Sequence, residues 1–211
     1  VDRLGGLDVL VNNAGVWGPK GAIDEVDWAE WARAVEINLM GSVLAARFAL
    51  PYLRRSERGK VVQLSGGGAT SPMPRLSAYA ASKAAVVRFA ETLAGEVADD
   101  GIDVNAVAPG AVNTRMLDEL LDAGPALLGD AQYAKALRQR DDGGTPPEKG
   151  ALLAVYLGSR KSDGITGRLL SAVWDPWEEL EGRSSTLDGS DIYTLRRIVP
   201  SERGHDWGER S

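Results

Sequence analysis

Ser77-Ala78-Tyr79-Ala80-Ala81-Ser82-Lys83-Ala84-Ala85 is an alanine-rich, helix-forming stretch that sets a phenol and an ammonium four residues apart. On a helix that spacing leaves the two side chains about 40° apart around the axis and one turn apart along it, so they are neighbours. A free phenol, with a pKa near ~10, is a poor acid–base group at neutral pH. A cation beside it favours the phenolate and lowers that value. A fall to ~7 corresponds to ~4 kcal/mol of differential stabilisation. The same two residues also suit the solvated face of an amphipathic helix, and the pair alone does not choose between the readings.

Working outward, the pair has company. Leu7-Asp8-Val9-Leu10-Val11-Asn12-Asn13-Ala14-Gly15 is an apolar run that ends in Asn-Asn-Ala-Gly. Asn38 lies inside a helical stretch, and Lys60-Val61-Val62-Gln63-Leu64-Ser65 reads as a strand ending in serine. Val104-Asn105-Ala106-Val107-Ala108-Pro109-Gly110 follows the Tyr/Lys segment, with Thr114 shortly after.

Strand signals alternate with helical ones, which predicts a parallel α/β sheet. The strands are expected at Leu7–Val11, Lys60–Leu64, Ile102–Val107 and Arg168–Val173. A long helix is expected from Asp27 to about Leu53, opened by Asp27 and Glu30 as a capping-box-like start. The Tyr/Lys helix should run from Ser77 to about Ala98. Residues 111–144 read as helical in pieces, and Thr145-Pro146-Pro147-Glu148 as a helix start with Thr145 as cap. The run Gly66-Gly67-Gly68 lacks the pattern of a phosphate cradle and reads as a flexible loop.

Composition narrows the chemistry. The 211 residues, 44% apolar, suffice for one domain with a substantial core. There is no cysteine, which excludes disulfides, zinc–thiolate sites and thiol catalysis. His205 is the single histidine, so a serine–histidine triad or a multi-histidine metal site is not expected. With a net charge of −6 and no lysine–arginine block, no nucleic-acid partner is implied. No uninterrupted apolar run approaches the ~18 residues of a membrane span. No signal peptide is visible, and a cytoplasmic location is expected.

The ordered set of motifs resembles the short-chain dehydrogenase/reductase family in its compact form, over roughly residues 1–173. The resemblance implies a Rossmann-like doubly wound parallel sheet, represented by its C-terminal part only. It implies an NAD(P)-dependent oxidoreductase that interconverts an alcohol and a ketone by hydride transfer. Tyr79 would be the acid–base group, and Lys83 would depress its pKa and bond the nicotinamide ribose. Asn38 would hold a water that relays protons to Lys83. Asn13, Ala14 and Gly15 would lie against the adenosine side of NAD or NADP. Pro109 and Gly110 would turn the chain under the nicotinamide, and Val112 and Thr114 would meet its carboxamide. Asn12 would bond backbone and tie strands together. Residues 115–144 would form a substrate lid, apolar in part. The helices at 27–53 and 77–98 would build a homodimer or homotetramer.

The chain departs from the family in three places. The family closes the strand before the Tyr/Lys helix with two serines, the second catalytic; here the pair is Ser65-Gly66. The family's usual spacing from serine to tyrosine is one residue shorter than the 14 between Ser65 and Tyr79. A one-residue insertion makes Ser65 the catalytic serine, and a gap-free register puts Gly66 in its place. Ser65 is preferred because it offers a hydroxyl; Thr70 and Ser71 are alternatives. No glycine-rich dinucleotide loop precedes Asn12, so an N-terminally truncated sequence, with the Leu7 strand left as an edge and cofactor binding weakened, is expected. The segment 174–211 extends past the family's usual end, and its tryptophans are expected to fold back on the body or on a partner subunit. A non-catalytic binding or regulatory protein on the same scaffold is the alternative reading.

Overall fold

The computed structural model describes residues 1 and 3–208. Its centre is a four-stranded, all-parallel sheet in the order β1-β2-β3-β4. The strands are β1 Val9–Asn12, β2 Lys60–Leu64, β3 Asp103–Ala108 and β4 Arg168–Ser171. Leu10 aligns with Val61, Val61 with Val104 and Val107 with Leu170. Parallel neighbours require long crossovers. Helices α1 (Trp28–Val35), α2 (Gly41–Leu53), α3 (Ser77–Glu96) and α6 (Pro147–Leu157) supply them. Successive strand residues face opposite sides. Val61 joins Ala46, Ala49, Val87 and Ala90 of α2 and α3, while Val62 joins Leu153 and Leu157 of α6. The sheet is thus covered on both faces in the Rossmann-like, doubly wound manner.

The boundaries sharpen several expectations. β1 begins at Val9 rather than Leu7 and forms one edge of the sheet. Asp27 caps α1 by accepting from the Glu30 amide at 2.8 Å. Between α1 and α2 the helix widens into a π turn, Glu36–Met40, which carries the buried Asn38. The continuous helix Trp28–Leu53 is long and apolar enough to cross a membrane by length and composition alone, although no apolar run in the sequence had suggested one. Its inner face packs on the sheet and on α3, and Leu44 and Phe48 remain exposed on its outer side. Thr145 is not the cap of α6: that helix follows Pro146, and the Thr145 backbone instead pairs with the 111–112 turn.

Residues beyond β4 return to the body. Trp177 is buried against Tyr156, ring centroids 5.4 Å apart. The Arg168 guanidinium donates to the carbonyls of Ser190 and Ile192 at 2.9 and 2.7 Å and to that of Leu187. The Leu169 amide donates to Tyr193 O at 2.8 Å, so this segment covers the outer edge of β4. Trp174 and Trp207 do not pack on the body of the chain: they are 85% and 77% exposed on it.

Candidate active site

In an open parallel sheet, ligands bind beyond the C-terminal ends of the strands. Those ends carry the candidate residues here: Asn13-Ala14-Gly15 after β1, Ser65-Gly66 after β2 and Pro109-Gly110 after β3. Above them lie α4 (Arg115–Leu128) and α5 (Asp130–Asp141), the expected lid, with a break at Gly124 ahead of Pro125. Leu117, Leu120, Leu128 and Ala136 of the lid form an apolar cluster with Leu76, against which Trp17, Met73 and Tyr133 pack.

Tyr79 and Lys83 sit one turn apart on α3, both buried. The Lys83 ammonium donates to Leu64 O at the end of β2, at 2.7 Å, and lies 5.8 Å from the centre of the Tyr79 ring. Among the described residues no carboxylate pairs with it. Burial lowers the Lys83 pKa to about 8. Burial also raises the Tyr79 pKa to about 12, opposite to the expected depression. The physical reason is that desolvation of both charged forms outweighs the attraction between them. At neutral pH the phenol therefore keeps its proton.

Asn38 is fastened on every side. Its Oδ1 accepts from Val16 N at 2.8 Å, and its Nδ2 donates to Val16 O at 2.9 Å and to Ser82 Oγ at 2.8 Å. Both amide protons are thereby used within the protein. Ser82 in turn donates to Tyr79 O at 2.8 Å, which ties the π turn to the Tyr/Lys helix. Gly15 lies beside both groups: a β-carbon there would stand 3.3 Å from Lys83 Nζ and 3.4 Å from Asn38 Oδ1. Asn13 and Ala14 form an exposed ledge after β1. Asn12 does bond backbone, but its Nδ2 reaches Ser42 O of α2 at 3.1 Å and so ties a strand to a helix.

The serine pair resolves unevenly. Gly66 faces Tyr79, and a β-carbon built on it would lie well inside contact distance of the phenol oxygen. The Ser65 hydroxyl is buried without a hydrogen-bond partner. Thr70 and Ser71 are exposed. The glycine run is not loose. It forms a short 3-10 turn, and Gly68 packs so tightly that a β-carbon would come within 2.6 Å of the Ala80 backbone. Gly110 is walled by Thr145 and Val173. Val112 bridges to Thr145, and Thr114 caps α4 by accepting from Met116 N at 3.3 Å.

Three contributors escaped the sequence reading. Trp17 packs its ring 4.1 Å from that of Tyr79, tilted by 50°, and its indole N–H donates to Met116 O at 2.6 Å. Arg75, at a φ of 67°, donates to Ala126 O and Leu127 O at 3.4 and 3.3 Å near the end of α4. Ser82 lay inside the quoted stretch, one residue before the lysine. Among the described residues no group of His, Cys, Asp or Glu could hold a metal ion.

Fold and site together define a Rossmann-like α/β protein with a buried tyrosine–lysine pair at the C-terminal rim of its sheet. The profile of the short chain dehydrogenases matches residues 1–124, and the chain belongs to that family of oxidoreductases. It is 36% identical to 3beta-hydroxysteroid dehydrogenase 1 of Eggerthella lenta, over 79% of this chain and 62% of that protein. It is 35% identical to cis-4-hydroxycyclohexanecarboxylate dehydrogenase of Sinomonas cyclohexanicum, over 80% of this chain and 65% of that one. Among solved structures, the ligand-free aldohexose dehydrogenase of Thermoplasma acidophilum superposes with a TM-score of 0.71 at 28% identity, covering 81% of this chain and 68% of the other. The chain thus spans less than two thirds of the length of these curated relatives.

Proposed function

We propose that the protein is an NAD- or NADP-dependent oxidoreductase that interconverts a small-molecule alcohol and its ketone, with Tyr79 and Lys83 handling the proton. The observation that carries this is the buried, carboxylate-free Lys83 beside a protonated Tyr79 at the strand C-termini. The family generally uses a nicotinamide cofactor, which supplies hydride transfer when bound. The residues fit its nicotinamide end: Lys83 spends one N–H on Leu64 O and keeps two for ribose hydroxyls, and Gly15 leaves room beside it. The Asn13–Gly15 ledge and the Pro109–Thr114 turn would flank the cofactor.

In reduction, Tyr79 gives its proton to the oxygen that gains negative charge, and Lys83 stabilises the phenolate left behind. In oxidation the proton returns. Asn38 fixes the 16–17 segment and, through Ser82, the first turn of α3, so its contribution is to hold the pair in place. The second donor to the substrate oxygen is the open position. Ser65 has a free hydroxyl, whereas the position that faces Tyr79 is Gly66. The apolar outer side of α1–α2, together with α3, suits a homodimer or homotetramer contact.

A second reading, a binding or regulatory protein, is favoured by the missing side chain at Gly66. Cofactor titration with NADH and NADPH, followed by an alcohol and ketone panel, separates the two. Binding with turnover supports the enzyme, and binding without any turnover supports the alternative. Within the enzyme reading, Ser65→Ala lowers kcat at least tenfold if that hydroxyl polarises the substrate, and leaves it unchanged if Tyr79 acts alone.

A further inference from the structure

We infer that Trp17 is a positioning residue that couples closure of α4 over the site to the setting of the Tyr79 phenol; this rests on the reading of Tyr79 as the proton donor. Trp17 does two things at once. Its ring lies on the Tyr79 ring at 4.1 Å, and its N–H holds Met116 O, in the first turn of α4, at 2.6 Å. Packing alone would be served by the first contact, and the indole N–H, which needs an acceptor away from water, takes its acceptor from α4. The second makes the position of α4 depend on the same side chain that covers the phenol.

The indole is aimed from a rigid base. Both backbone groups of Val16 are bonded to the Asn38 amide, N–H to Oδ1 and carbonyl to Nδ2. On the other side, Gly18 turns the chain at a φ of 72° against Ala34, where a β-carbon would come within 2.6 Å. Trp17 is therefore held between two fixed neighbours. It presents one edge to the catalytic helix and the other to the lid. Next to Met116, Leu117 and Leu120 close the apolar cluster over Leu76, immediately before α3. Arg75 grips the far end of α4 from that same side. A substrate that enters must pass α4, and lifting α4 pulls on Trp17. Releasing Trp17 opens the phenol to water and returns its acidity toward that of free tyrosine.

The test uses Trp17→Phe and Trp17→Ala with two readouts besides turnover. The first is the phenolate absorbance of Tyr79, taken as the difference between each protein and the same protein carrying Tyr79→Phe. The second is amide exchange over Leu117–Leu121. With a Tyr79 pKa of about 12, roughly 1% of that phenol is ionised at pH ~10, rising toward ~50% in Trp17→Ala. Trp17→Phe keeps the ring, so the phenol stays protonated. It loses the Met116 bond, so exchange in α4 accelerates roughly tenfold, the scale of one hydrogen bond. Unchanged Tyr79 ionisation in Trp17→Ala, or unchanged α4 exchange in Trp17→Phe, overturns the coupling. Normal turnover in Tyr79→Phe would remove the proton-donor reading instead, and the two physical readouts would still decide the coupling.

Discussion

Two buried lysines stand at opposite ends of the sheet, and they are treated in opposite ways. Lys60 opens β2 and is 2% exposed; its ammonium meets Asp103 at 2.6 Å and Asp163 at 2.7 Å. Lys83 lies beyond the other end of β2 and is 4% exposed, yet its partner is one carbonyl, Leu64 O. A buried charge is costly unless it is paired. Lys60 is paired within the fold. Lys83 keeps donors and charge unspent, which is what a group awaiting a ligand needs. The difference separates a lysine whose charge is paired within the fold from one whose charge is not, although burial alone is nearly the same.

Substitutions at the two positions should move stability in opposite directions. Lys60→Met leaves the partly buried Asp103 beside Asp163 with no cation, and should cost up to about 3 kcal/mol in denaturant unfolding. If the loss is under about 1 kcal/mol, the ion cluster is not what holds that end of the sheet. Lys83→Met removes an ammonium whose folded-state pKa, about 8, lies below its ordinary 10.5. A lowered lysine pKa means the folded state prefers the neutral form. Stability is therefore greatest above pH 10.5, declines as pH falls from 10.5 to about 8, and is level below that. Lys83→Met should gain up to about 3 kcal/mol over the native protein below pH 8, less about 1 kcal/mol for the orphaned Leu64 carbonyl, with the gap closing toward pH 10.5. A destabilised Lys83→Met at pH 7 would mean the site stabilises the ammonium by means other than those described. The smallest effect belongs to Asp163→Asn. That carboxylate is 48% exposed and Asp103 remains, so the cost should stay within about 1 kcal/mol and shrink in salt. A larger loss would show that Lys60 needs both partners.

Much of this was legible in the sequence. The valines of Val61-Val62 and Val104–Val107 announce buried strands, and strand order brings Gly15, Ser65 and Gly110 to one rim. Tyr79 and Lys83 are adjacent by helix geometry alone. What the sequence did not carry is environment. The phenol's pKa direction depends on burial, and Trp17, which packs on it, lies about 60 residues earlier in the chain. The amide partners of Asn38, Val16 and Ser82, are set by tertiary contact. The serine register turned on a backbone path that letters do not encode. The glycine run reads as flexible until Ala80 is seen packed against Gly68. Trp174 and Trp177 are chemically identical, and only the turn between them decides that one is displayed and the other buried.

The contrast between the lysines rests on Tyr79 being the group that Lys83 serves. The most direct test is kcat for alcohol oxidation and ketone reduction in Tyr79→Phe, with cofactor affinity measured alongside. The substitution removes one oxygen and keeps the ring against Trp17. The account predicts a fall of about 10²–10⁴-fold in kcat with cofactor affinity retained. Turnover within a few-fold of the native protein would contradict it.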